Sequence, residues 1–160
     1  MQDKAPGLYR RSLYVYRKRT VPYPALTTFD APSREVCQVK RPRTNTPLQA
    51  LELLNDVTYV EAARRLAEVM LTEGGRTPDE RIRYAFRRAT ARPPEASELQ
   101  VLARGLARYR QTFGHDKEAA ARYVRHGESP IDARLDPAEL AAYTATAEVI
   151  LNLDETITKE

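Results

Sequence analysis

From residue 46 onward the apolar positions recur with helical spacing, and polar capping residues punctuate them. Thr46 suits an N-cap, Pro47 the first helical position, and Gln49 the return arm of a capping box. Leu48, Leu51 and Leu54 then form one apolar stripe, predicted to end near Asn55. Asp56 caps the next helix, whose predicted buried face is Val60, Ala63, Leu66, Ala67 and Met70, with Gly74-Gly75 as its end. Thr77-Pro78-Asp79-Glu80 opens a third helix carrying Ile82, Ala85, Phe86 and Ala89, closed by Arg92-Pro93-Pro94. A fourth starts near Ser97, with Leu99, Leu102, Leu106, Tyr109 and Phe113 inward and Gly114 at its end. A short fifth follows Asp116, with Ala119, Ala120, Tyr123 and Val124 inward. GESPIDARL (127–135) is a loop. Asp136-Pro137-Ala138-Glu139 reads as a third capping box, opening a last helix through Leu140, Tyr143, Thr144, Ala147, Ile150 and Leu151 to Asn152. Six helical segments with short connections predict an all-α, irregular bundle, without the self-similarity of a solenoid.

The first 46 residues differ. Residues 8–19, LYRRSLYVYRKR, alternate like a strand at Leu13 and Val15, yet Tyr9, Leu13 and Tyr16 have helical spacing. Helix is preferred because the rest of the chain is helical. Residues 20–47 hold Pro22, Pro24, Pro32, Pro42 and Pro47, which break any long ladder and predict an irregular connector. A structureless stretch of that length inside a compact domain is either pinned to the body or functional. The chain therefore divides into a basic arm and connector, 1–46, and a helical body, 47–160, within one domain.

Charge sharpens that division. Residues 1–47 carry ten Lys/Arg and three Asp/Glu, a net of +7, and residues 48–160 carry a net of −3. The simpler account is an arm lying against its own acidic body, with tyrosine rings buried and basic tips reaching water. The other is a partner surface. At 160 residues, with 42% apolar and 30% charged residues, the chain can bury a core without staples. No apolar run reaches the length of a membrane span, and MQDKAPGLYRR lacks a signal peptide's apolar core. A single cysteine excludes an intrachain disulfide and the C-x-x-C-H of c-type haem attachment.

Candidate chemistry is sparse. His115 and His126 have no metal-ligand spacing, and no phosphate loop or nucleophile elbow occurs. Cys37 has Arg34, Lys40, Arg41 and Arg43 as neighbours, which favour a thiolate, but no histidine lies near in sequence. It reads as a small structural residue. Basic residues interleaved with Tyr9, Tyr14, Tyr16 and Tyr23 have the composition of a single-strand nucleic-acid binder, without any recognised module. The remaining cluster is Asp30, Arg34, Glu35, Arg41, Arg43, Thr44, Asn45, Gln49 and Asn55. Its default role is to hold the connector down; its sharper role is a binding or docking surface.

FDAPSREVCQVKRPRTNTPLQALELLND, with RRSLYVYRKRTVPYPAL upstream, resembles a planctomycete domain of unknown function. GRTPDERIRYAFRRATARPP, GESPIDARLDPAELAAYTATAEVILNLDE and the closing TKE resemble the rest of it. That domain commonly forms the C-terminal part of large surface proteins that also carry a cytochrome c domain. The resemblance implies that this chain is the last portion of a larger domain, periplasmic or at the cell surface. The first functional reading is a non-catalytic helical module acting in docking. The resemblance implies haem c only in a separate domain, none in this chain. Its partners would be the upstream part of its own domain and that cytochrome domain. No catalytic residue carries over. Two positions depart from the pattern. Glu95 replaces a threonine cap, predicting a weaker start to the fourth helix, and Thr156 replaces an apolar residue, predicting a looser chain end. The alternatives are an enzyme on an anionic substrate, such as a carbohydrate, through residues 30–55, with Asp30 or Glu35 as acid or base, and nucleic-acid binding by the arm.

Overall fold

The computed structural model describes residues 7–10, 12–18, 20–33, 35–40 and 42–158, excepting the side chain of Leu8. All regular structure among them is helical: α1 (Pro24–Thr28), α2 (Pro47–Asn55), α3 (Val57–Glu73), α4 (Pro78–Thr90), α5 (Ala96–His115), α6 (Lys117–Val124), α7 (Pro137–Leu151) and α8 (Asp154–Ile157). The six predicted segments are α2 to α7. Their starts follow from capping chemistry. Thr46 accepts from the Gln49 amide while Gln49 returns to the Thr46 amide, and Thr77 and Glu80 do the same for α4. Asp56 and Asp116 cap α3 and α6.

The box predicted at α7 is half made. Asp136 accepts from the Glu139 amide at 2.9 Å, but the Glu139 carboxylate turns away to Arg110 of α5. Tertiary charge pairing outcompetes the local return bond there. At α5 the Glu98 carboxylate accepts from the Glu95 amide at 2.7 Å, so that start is braced despite the missing threonine. α5 continues through Gly114 to His115.

α7 is the axis of the fold. It packs against α3, α5 and α6 and touches α2, α4 and α8. Leu140, Ala141, Ala142, Tyr143, Thr144, Thr146, Ala147 and Ile150 are all buried, the pattern of a helix covered on most sides. Thr144 and Thr146 satisfy their hydroxyls on the Leu140 and Ala142 carbonyls, which lets two polar side chains enter the interior. Around α7 the core is completed by Ala63, Ala67, Met70, Ile82, Ala85, Phe86, Leu102 and Leu106.

Two expectations are corrected, and one stripe is oriented. Residues 7–9 and 12–14 form single 3₁₀ turns, not an α-helix. The arm tyrosines are not buried: Tyr14 and Tyr16 are exposed, Tyr16 by 85%. The α2 stripe faces outward, with Leu48 and Leu51 each 59% exposed and Leu54 43%. The buried residue of α2 is Gln49. α2 is turned this way because Gln49 makes the contacts that hold the connector.

At the chain end, Thr156 donates to the Ile150 carbonyl at 3.1 Å, so a hydrogen bond serves there in place of apolar packing. No helix of the described residues is long and apolar enough to cross a membrane.

Candidate functional site

The connector is fastened by a small polar knot. α1 ends where Asp30 takes the left-handed conformation (φ 57°), and the Ala31 amide returns to the Leu26 carbonyl at 2.8 Å. Aspartate tolerates that conformation better than most residues. Its carboxylate then accepts from both the amide and the hydroxyl of Thr44, each at 2.8 Å. Gln49, 1% exposed, donates to the Thr28 carbonyl at 2.8 Å and to the Thr44 hydroxyl at 3.2 Å, while its carbonyl oxygen accepts from the Thr46 amide. One glutamine thus caps α2 and ties both limbs of the connector to it.

The other predicted site residues scatter. Asn45 donates to Asp154 of α8 at 2.8 Å, joining the connector to the chain end. Asn55 turns back on its own helix, donating to the Leu51 carbonyl at 2.7 Å. Glu35 is exposed, its amide held by the Ser33 hydroxyl. Arg34 and Arg41 lie outside the described residues. Arg43 is exposed and, with Lys40, edges a cleft of about 440 Å³ whose walls include Phe29, Asp30, Gln49 and Ile157. Asp30, Arg43 and Gln49 therefore meet at one cleft. Cys37, expected to be a small structural residue, is exposed. Among the described residues no group of His, Cys, Asp and Glu is arranged to hold a metal.

A second polar centre escaped sequence reasoning. Glu61, Arg64 and Glu68 of α3 are buried, Glu61 by 97% and Arg64 by 99%. Glu61 accepts from the Tyr9 hydroxyl at 2.5 Å and from the Glu128 and Ser129 amides, each at 2.9 Å. Burial by itself pushes this carboxyl up. Bonds from the Ser129 hydroxyl, Tyr9 and the two amides outweigh it and hold the carboxyl at about 2. Arg64 donates to Glu68 at 2.7 Å, to the Ser129 carbonyl at 2.9 Å and to the Ser129 hydroxyl at 2.6 Å. Gly127, at φ 97°, passes so close that a Cβ there would overlap the Glu61 carboxylate. The centre locks the 127–130 loop and the arm onto α3. Its signal was present as charged residues at i, i+3 and i+7 beside the apolar face of α3. Nothing local announced that the loop would cover them.

These features define an all-helical domain whose connector is held by its own polar residues, with an outward apolar helix face beside it. The chain belongs to the family described as PSD1, protein of unknown function (DUF1553), whose model matches residues 1–106. The match takes in the arm, the connector, α2 to α4 and part of α5; α6 to α8 lie beyond it. No curated protein and no solved structure matches the chain.

Proposed function

We propose that this chain is a non-catalytic docking module of a multidomain protein. The observation that carries the proposal is the outward stripe of α2. Leu48, Leu51 and Leu54 lie on one face, and Val57 follows, 51% exposed. An apolar face left open beside a polar surround is the signature of an interaction site. It follows directly on a connector and arm with a net charge of +7, and Arg10, Lys18, Lys40 and Arg43 there are exposed. The matching surface is therefore apolar at its centre and acidic at its rim. The resemblance to surface-protein domains supports two such partners, the upstream part of the same domain and a c-type cytochrome domain. It also supports a periplasmic or cell-surface setting, with any haem c in the separate domain.

The alternative enzyme on an anionic substrate draws on the cleft edged by Lys40 and Arg43. Its candidate acid, Asp30, instead accepts two hydrogen bonds from Thr44. The exposed arm tyrosines keep single-stranded nucleic acid as the competitor to include in the test.

Titrating the isotope-labelled chain with a soluble c-type cytochrome domain should shift amide signals in 8–43 and 47–57. Affinity should fall as salt rises, and Leu48→Ser with Leu51→Ser should weaken binding at least tenfold, the equivalent of about 1.4 kcal/mol. Shifts confined to 58–158, or tighter binding of single-stranded DNA than of the cytochrome domain, would sink the proposal.

A further inference from the structure

We infer that the cleft between α5 and α7 is a binding site for a small ligand that carries a carboxylate on a ring. Its walls are Gly105, Arg108, Tyr109, Thr112 and Phe113 of α5 and Ala145 of α7, and its volume is about 530 Å³. Small-molecule sites span roughly 300–1,000 Å³.

Gly105 lies in the interior of a 20-residue helix, where glycine is the poorest residue after proline. Nothing inside the protein requires it. Its backbone is helical, and a Cβ added there would meet only Tyr109 Cε2, at 3.9 Å, an ordinary contact. The glycines at 74, 75 and 127 differ, since a Cβ on them would overlap neighbouring atoms at 2.5, 2.7 and 2.1 Å. A missing side chain lets another molecule approach the helix backbone closely, and Gly105 leaves that opening in the wall of the cleft.

The other walls define what approaches. Tyr109 and Phe113 follow Gly105 at successive turns, half-buried, with their rings packed against the core. Phe113 is also braced by stacking on Tyr123, with 5.5 Å between centroids and 12° between planes. Two fixed aromatic rings on one helix face suit a ligand ring laid against them. Arg108 supplies the charge. It is exposed, and among the described residues no ion pair engages it. No acidic side chain of the described residues lines the cleft. Thr112 donates its hydroxyl proton to the Arg108 backbone carbonyl at 3.1 Å, so it leaves the guanidinium donors free. A guanidinium fork holds a carboxylate through two parallel N–H bonds. An aromatic acid and a sugar acid are the two sources of that chemistry. The site shares no residue with the α2 face and stands or falls independently of the docking proposal.

The test titrates benzoate, glucuronate and acetate in turn into the isotope-labelled chain at constant ionic strength. NMR follows the amides of 105–113 and 145 and the Arg108 Nε–Hε signal. The expected result is a saturable shift with a ring-bearing acid, absent at Arg104, whose Nε is bonded to the Gln100 carbonyl. Tighter binding of benzoate assigns the site to aromatic acids, tighter binding of glucuronate to sugar acids, and equal affinity to the shared ring and carboxylate. Gly105→Ala should raise the thermal midpoint by about 2–4 °C, because it adds a better helix former without a clash. The same methyl group should weaken binding about tenfold by blocking the approach. Arg108→Gln, at an exposed position, should also weaken binding about tenfold. Shifts that never saturate, acetate bound as tightly as the ring-bearing acids, or unchanged affinity in Gly105→Ala overturns the inference. So does a lower midpoint in Gly105→Ala, which would show that the fold itself requires the glycine.

Discussion

Glu61 occupies the interior because four donors surround its carboxylate, and each comes from a different part of the chain than α3. The charged form is the one these donors favour, so the sign of its linkage follows. The folded carboxyl lies at about 2, against an ordinary value of 4.5. Its contribution is fully present above about pH 4.5 and is lost as pH falls from there through 2. Glu61→Gln sets an amide N–H₂ against backbone donors and should cost about 2 kcal/mol in urea unfolding at pH 7. It should also flatten the loss of stability between pH 4.5 and 2. Gly127→Ala forces a side chain into the left-handed region and into the same carboxylate, so it should cost about 2–3 kcal/mol. The double variant should lose less than the sum, because both changes break one contact. Additive losses would show that the loop and Glu61 act separately. Tyr9 belongs to the same knot. Its bond to Glu61 pushes its own hydroxyl up, and with it the arm meets the body through one named contact.

At the scale of elements, the helix starts were legible because capping is local chemistry. Thr46, Asp56, Thr77 and Asp116 each act within three residues of themselves. Connections between elements were not legible, and Arg92 shows why. It follows α4, lies 4.9 Å over the Phe86 ring, pairs with both oxygens of Glu98 at 2.9 and 2.7 Å, and holds Glu155 of α8 at 2.5 Å. A partner 63 residues away leaves no local mark. Arg92 holds the Glu98 carboxyl down at about 2, with the Glu95 amide assisting. In Arg92→Ala, Glu98 should titrate nearer 4.5 by NMR, still somewhat lowered by that amide. Amide protection across 154–158 should fall while α7 stays protected. Arg92→Lys should restore little, since an ammonium cannot form the fork that spans two carboxylates. Unchanged protection in 154–158 would mean that α8 is held by packing alone.

For the whole molecule, the division into a core around α7 and an open face on α2 predicts two opposite responses to substitution. Leu106 is buried against α7, and Leu106→Ala should cost about 2–5 kcal/mol. Leu48→Ser with Leu51→Ser should change the stability of the isolated chain by no more than about 0.5 kcal/mol per site, because each side chain stays mostly in water on folding. A large loss in the α2 variant would show that the stripe serves this chain's own fold and would remove the basis for docking. The charge division is consistent with the open face. The arm side chains from Ser12 to Tyr16 are exposed, and Tyr9 joins the arm to the body at Glu61.

The sequence by itself determined the helices of the body, their caps and the all-α class, since periodicity and capping act over a few residues. It also marked the connector around Asp30, Arg43 and Gln49 as the place where polar residues gather. Only the tertiary structure decided which way each face turned. The stripe of α2 was legible but its direction was not: Gln49 makes more bonds to the connector than a leucine could, and that orients the helix with its leucines largely in water. Glu61, Arg64 and Glu68 carry no local sign of burial, yet a loop 65 residues onward supplies the donors and acceptors that allow it. Tyr143 read as one more inward ring, but α4 and α5 each bring an arginine to its hydroxyl. In every case the deciding contact joins residues distant in sequence, and its energy depends on a geometry that no local pattern encodes.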